Sequence, residues 1–220
     1  MKLKHQLSLY LLAVCAVACQ GQPVDYRRSV YLLVDISGTY LAEIHEAERV
    51  VRAVLTHLKP GDSFTLAQID SDSFSEKKVI VNITFNRLST TANQEKLVVA
   101  RKVGEFVKKA KSSRYSDITG GILQGVEYLN RTSSGRKFMI VISDLKEELR
   151  RDQIRDVAID FSGIHVISMN VVKLKADARD PRSYYNRLKY WESRVTKTQG
   201  LWQVIAADEK EKILDVISRR

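Results

Sequence analysis

The chain has 220 residues, 44% hydrophobic and 28% charged. That profile fits a folded protein long enough to bury a core and excludes a disordered or fibrous one. The formal net charge is +10, but the basic residues are scattered, densest over 96–111, and lack the aromatic-basic interleaving of an RNA platform. Nucleic acid is therefore not the expected partner.

The first residues differ from the rest. Lys2 and Lys4 precede an apolar run, Leu7 to Ala18, that is too short to span a bilayer as a mature helix. Ala16 and Ala18 stand at cleavage-site spacing, so residues 1–18 read as a secretion signal. Both cysteines, Cys15 and Cys19, lie in or beside this segment. The run AVA-Cys19-QGQP resembles a bacterial lipobox, with Ala16 where Leu is usual. That resemblance implies a lipid on Cys19 as the first mature residue. Gln20 after it, in place of Asp, implies an outer-membrane lipoprotein facing the periplasm. Ordinary cleavage after Ala18 would instead leave one exposed thiol in an oxidising compartment, an unusual thing to keep. No cysteine pair remains to form a disulfide, so packing must hold the fold. Without Lys2 and Lys4 the basic count falls from 36 to 34 against 26 acids, about +8. This charge fits an anionic partner or a solvated basic face.

Residues 19–28 read as a tether and 29–220 as one domain. Val30 to Asp35 is a continuous apolar run, the pattern of a strand buried on both faces. Leu41, Ile44, Ala47, Val51, Leu55 and Leu58 recur at helical spacing, and Pro60-Gly61 stops the helix. Phe64 to Ile69 is a second strand, SDSFSEKK a turn, and Val79 to Phe85 a third strand suited to an edge. Leu97 to Ala110 and Ile118 to Leu129 are helices. Phe138 to Ile142 is a buried strand, Ile154 to Phe161 a short helix and Ile164 to Val172 another strand. Tyr184, Leu188, Trp191 and Val195 form a helical stripe. Leu201 to Ile205 is the last strand, and Ile213, Val216 and Ile217 mark a closing helix. Alternating strands and helices predict an α/β domain: a doubly wound, mostly parallel central sheet with helices on both faces. In such sheets ligands bind at the carboxyl ends of the strands, where the strand order reverses.

The chemistry gathers at those ends. Asp35, Ser37 and Thr39 leave the first strand at alternate positions, so one carboxylate and two hydroxyls can converge. Hard oxygen donors suit Mg²⁺. Capping of the next helix by Ser37 or Thr39 is an equally good account of this trio alone. The second buried strand, FMIVISD, ends at Asp144, and RYSDITGGIL lies between. Each has a capping alternative: Asp144 for LKEELR, and Ser116 or Asp117 for the helix at Ile118.

Taken together, DISGT, SDITGGI and ISDL resemble, in order and spacing, the three loops of the metal-ion-dependent adhesion site of von Willebrand factor type A domains. The resemblance covers roughly Arg28 to Arg220 and includes the closing WESRVTKTQGLWQVIAA. Thr39 stands for the commoner Ser, and Ser116 for the usual Thr. The resemblance implies a Rossmann-like fold and a Mg²⁺ or Mn²⁺ site formed by Asp35, Ser37, Thr39, Ser116 and Asp144, with Asp117 either facing the ion or supporting it from behind. It further implies a non-enzymatic protein-binding module whose metal is completed by an acidic residue of the partner; with the lipobox-like leader, the expected location is the cell envelope.

Two rivals remain at this point. DISGT is one residue from the DxDGT of haloacid-dehalogenase-type phosphatases, but Ser37 occupies the general-acid position and cannot donate a proton at neutral pH as a carboxyl does. A metal-free structural copy of the fold is the other. Asp70 and Asp72 offer a second cation site or, more simply, a solvated turn. The four histidines show no zinc spacing.

Overall fold

The computed structural model describes residues 25–38, 40–169, 171, 174–209 and 211–219. The expected leader, Cys19 as the expected lipidation residue, the expected tether up to residue 24, and Thr39 lie outside the described residues. No helix among the described residues is long and apolar enough to cross a membrane.

The first strand, β1 (Arg28–Asp35), is buried along its whole length, because it is flanked on both sides and covered on both faces. It pairs in parallel with β2 (Ser63–Ile69) and with β4 (Arg136–Ile142). β5 (Ile164–Met169) and β6 (Leu201–Ile205) extend the sheet in parallel beyond β4. β3 (Val79–Thr84) returns antiparallel against β2 and closes the other edge. The order is β3-β2-β1-β4-β5-β6. The chain therefore winds outward from β1 in one direction and then from β4 in the other, and the switch point falls between β1 and β4.

Alternation along β1 sorts the two layers. Val30, Leu32 and Val34 meet α1 (Ile44–His57), α2 (Ser89–Lys109) and α5 (Glu211–Ser218) through Val50, Val54, Val99, Val103, Ile213 and Ile217. Tyr31 and Leu33 meet α3 (Ile118–Arg131) and α4 (Pro181–Thr196) through Ile122, Leu129, Trp191 and Val195. The expected doubly wound α/β architecture is thus the observed one. α3 sits close because it is glycine-lined towards the sheet: a Cβ at Gly125 would stand 2.8 Å from the Tyr31 ring and from Met139 Cε.

Two expectations fail. Residues 154–161 are not helical. Ile154 and Val157 are exposed, whereas Ile159 and Phe161 are buried, so positions 154, 157 and 161, which one helical face would carry, do not share an environment. Side chains from elsewhere hold the segment's backbone: Arg194 donates to the Val157 carbonyl at 2.8 Å, and Phe161 N donates to Thr198 Oγ1 at 2.9 Å. Second, LKEELR after Asp144 is an irregular loop, so Asp144 caps no helix there.

Candidate functional site

Asp35 is the last residue of β1 and is fully buried. Its Oδ1 accepts the backbone N–H of Ser37 at 2.8 Å, and its Oδ2 accepts the hydroxyls of Ser116 at 3.0 Å and Ser143 at 2.7 Å. Among the described residues no cationic side chain pairs with it. Burial pushes its carboxyl above the ordinary 3.8, against the opposing pull of the Ser143, Ser37 and Ser116 hydrogen bonds. A buried carboxylate with three donors and no counter-charge is costly to keep ionised.

Ser37 follows on a tight loop. Its carbonyl accepts the N–H groups of Tyr40 and Leu41, both at 2.9 Å, and no side chain caps the 3-10 turn at Leu41–Glu43 or α1. The loop is pinned to residues 112–113: Ser113 N donates to the Ile36 carbonyl at 2.8 Å, and Gly38 N donates to the Ser113 carbonyl at 3.0 Å. Ser116 pairs through its backbone with Glu148, both hydrogen bonds at 2.9 Å, which ties the second loop to the third. Val34 pairs with Ile142, so Ser143 lies level with Asp35 and Asp144 one residue beyond. Asp144 is 2% exposed, its Oδ1 accepts Lys146 N at 2.8 Å, and its carbonyl accepts Arg187 Nε at 3.2 Å. Arg187 also makes a two-pronged pair with Asp177, both contacts 2.8 Å.

Asp35, Ser37 and Ser116 are thus brought into one hydrogen-bonded group, and Asp144 stands on the neighbouring strand end at the switch point. Asp117 is differently employed. It caps α3 through Gly120 N at 2.9 Å, accepts Ser73 N at 3.0 Å and is gripped by Arg155 at 2.9 and 2.8 Å. With a guanidinium on both oxygens it is a structural anchor rather than a cation ligand. Asp70 likewise belongs to a turn, held by Lys78 at 2.5 Å and Gln68 at 2.9 Å, with Asp72 N on its other oxygen.

Ser143 was not singled out from the sequence, although the hydroxyl beside Asp144 in ISD was the available signal. Arg155 gave no such signal, because its partner lies 38 residues away. Leu145, just past the site, has a φ of 61°. This is the left-handed region that a buried leucine rarely adopts, and Leu145 N is held there by Ser143 Oγ at 3.0 Å.

The donor set is rich in hydroxyls. Among the described residues no group of three or more His, Cys, Asp or Glu side chains is arranged to hold a metal. Two carboxylates and nearby serine hydroxyls at adjoining strand ends nevertheless match the oxygen chemistry of a hard divalent ion, and Asp35 lacks a counter-charge that such an ion would supply.

No family model matches the chain. A curated relative, inter-alpha-trypsin inhibitor heavy chain H1 of Mesocricetus auratus, is 26% identical over 125 residues, which is 53% of this chain and 12% of that protein. Among solved structures, von Willebrand factor type A from Catenulispora acidiphila aligns with a TM-score of 0.53 and 10% identity, over 88% of this chain and 42% of that one. The open conformation of the pilus adhesin SpaC from Lactobacillus rhamnosus GG aligns with a TM-score of 0.55 and 15% identity, over 90% and 30%. The chain therefore spans less than half of each of these proteins. The fold is of the von Willebrand factor type A kind.

Proposed function

We propose that this chain is a binding module that captures an acidic side chain of a protein partner through Mg²⁺ or Mn²⁺ held by Asp35, Ser37, Thr39, Ser116 and Asp144. The observation that carries this reading is the fully buried Asp35 at the switch point, which has hydroxyl and N–H donors but no cation beside it. A divalent ion bound there would act as a Lewis acid with an open position for a carboxylate. The chain's own part is to fix the oxygens: Ser143 and Ser116 turn Asp35 Oδ2, and the Ser116–Glu148 pairing sets the second loop against the third.

The site works by binding rather than by turnover. A phosphatase of the haloacid-dehalogenase type needs a free nucleophilic carboxylate and a second carboxyl two residues on. Here Asp35 is occupied by three donors and Ser37 holds the second position. A metal-free copy of the fold is disfavoured, because among the described residues no cationic side chain pairs with Asp35.

Export and anchoring to the cell envelope through lipidated Cys19, in the manner of an outer-membrane lipoprotein facing the periplasm, complete the proposal. The pilus adhesin among the structural neighbours agrees with a surface or envelope setting.

Calorimetric titration of the full chain with Mg²⁺ and Mn²⁺, beside Ser116→Ala and Asp144→Asn, tests the site. Binding to the unmutated chain that weakens in both variants, while their circular dichroism is unchanged, supports it. Equal binding in all three removes these residues from the site.

A further inference from the structure

Resting on that reading, we infer that the partner offers not one acidic residue but a run of them, and that the extra ones lie over a fixed basic ridge on one side of the metal position. Residues 106–116 carry four basic side chains, Lys108, Lys109, Lys111 and Arg114, and no acidic one. All four are exposed. Among the described residues none of them enters an ion pair.

The ridge is bound to the site rather than loosely near it. It starts at the end of α2 and runs into the loop whose Ser113 bonds Ile36 and Gly38. Ser112 Oγ lies so close that a Cβ on Gly38 would be 3.3 Å from it. Lys111 and Arg114 therefore stand within two residues of the segment that touches the Ser37 loop. Ser113 Oγ bonds the Tyr115 carbonyl at 2.8 Å, and the Arg114 guanidinium lies 5.4 Å from the Tyr115 ring centre, which fixes the loop's direction.

The opposite rim is built differently. Three of its cations are paired, Lys146 with Glu148, Arg150 with Asp152 and Arg187 with Asp177, and among the described residues Arg151 stands exposed outside any ion pair. Unpaired positive charge beside the site is therefore densest towards 108–114. Lysines at a helix C-terminus favour the helix dipole, but that accounts for Lys108 and Lys109 and not for Lys111 and Arg114 beyond the helix. Three of the four cations are lysines, which meet carboxylates one charge at a time. The single arginine has its face against Tyr115. A phosphate polymer would draw on arginine forks, so an acidic polypeptide is the better occupant. In an extended segment, side chains on one face recur at about 7 Å, which lets successive carboxylates reach successive cations.

The test uses two labelled Gly/Ser peptides, one with a single central Asp and one with Asp at every second position. Their binding to the full chain is followed by fluorescence anisotropy with Mg²⁺ or EDTA. The Asp-rich peptide is expected to bind roughly tenfold more tightly at low salt, and the advantage to vanish at high salt. The quadruple variant Lys108→Gln, Lys109→Gln, Lys111→Gln, Arg114→Gln, all at exposed positions, should bring the two peptides to equality and keep the Mg²⁺-dependent binding of the single-Asp peptide. Equal affinities in the unmutated chain would overturn the ridge, as would tighter binding of a polyphosphate of equal charge. If the Asp-rich preference persists unchanged in EDTA, the ridge stands and the metal reading falls.

Discussion

Asp35→Asn should move stability in opposite directions depending on metal. In the metal-free chain the carboxylate is buried with three donors and no cation. Hydrogen bonds to a charged group contribute about 1.5–3 kcal/mol each, against about 0.5–1.5 for neutral ones, so the amide forfeits roughly 3 kcal/mol across three bonds. It also escapes the burial of a charge, and because burial raises the Asp35 carboxyl above its ordinary value, that cost exceeds the hydrogen-bond gain. The sign follows. An acid raised in the folded state holds its proton there while the unfolded chain releases it, so its contribution is present at acid pH and lost as pH rises through the folded value. In EDTA the unmutated chain should therefore weaken between about pH 4 and neutrality more than Asp35→Asn does, and the variant should be the more stable at pH 7. With Mg²⁺ at a hundred times its Kd the unmutated chain gains about 2.7 kcal/mol, and the variant gains little. Urea denaturation at two pH values, with and without Mg²⁺, measures all four numbers. A variant that is less stable in EDTA at both pH values, with an undiminished Mg²⁺ response, would refute the reasoning.

Ser143→Ala removes a charge-assisted bond to Asp35 and leaves the buried Leu145 N–H without its acceptor. A loss of about 2–4 kcal/mol is expected in chemical denaturation, with or without metal. Gly125→Val forces a side chain against the Tyr31 ring and Met139, which should cost about 1–3 kcal/mol and lower the melting temperature. Asp177 is held down to about 2 by the Arg187 guanidinium. Its contribution is present above pH 3.8 and lost as pH falls through 2, so Asp177→Asn should flatten the acid limb of a stability-pH profile.

Much of this was legible in the chain. The strands of the core announce themselves as VYLLVD and FMIVI because a parallel strand covered on both faces needs apolar residues at every position. The carboxylates that end them were visible for the same reason, as charges where a buried run stops. What escaped was set by distant contacts. Residues 154–161 carry apolar spacing that passes for a helix, yet Arg155, Val157 and Phe161 are claimed by Asp117, Arg194 and Thr198. Asp117 was open between supporting an ion and capping a helix, and the arginine that decides it has no local signature. Lys111 and Arg114 read as part of a scattered basic surface until the loop carrying them is seen against Gly38.

The placement of Asp35 and Ser143 at the ends of neighbouring strands, 108 residues apart in sequence, has a kinetic consequence. Everything before β4 can assemble β1, β2, β3 and the first helices, but the oxygen cluster lacks Ser143 and Asp144 until β4 docks along β1. Closing so long a loop is slow compared with local helix and hairpin formation. A cation that prefers this cluster therefore has no grip on nascent or half-folded chains and should leave the folding rate unchanged. It would slow escape from the finished state instead, acting as a latch set after the door has shut.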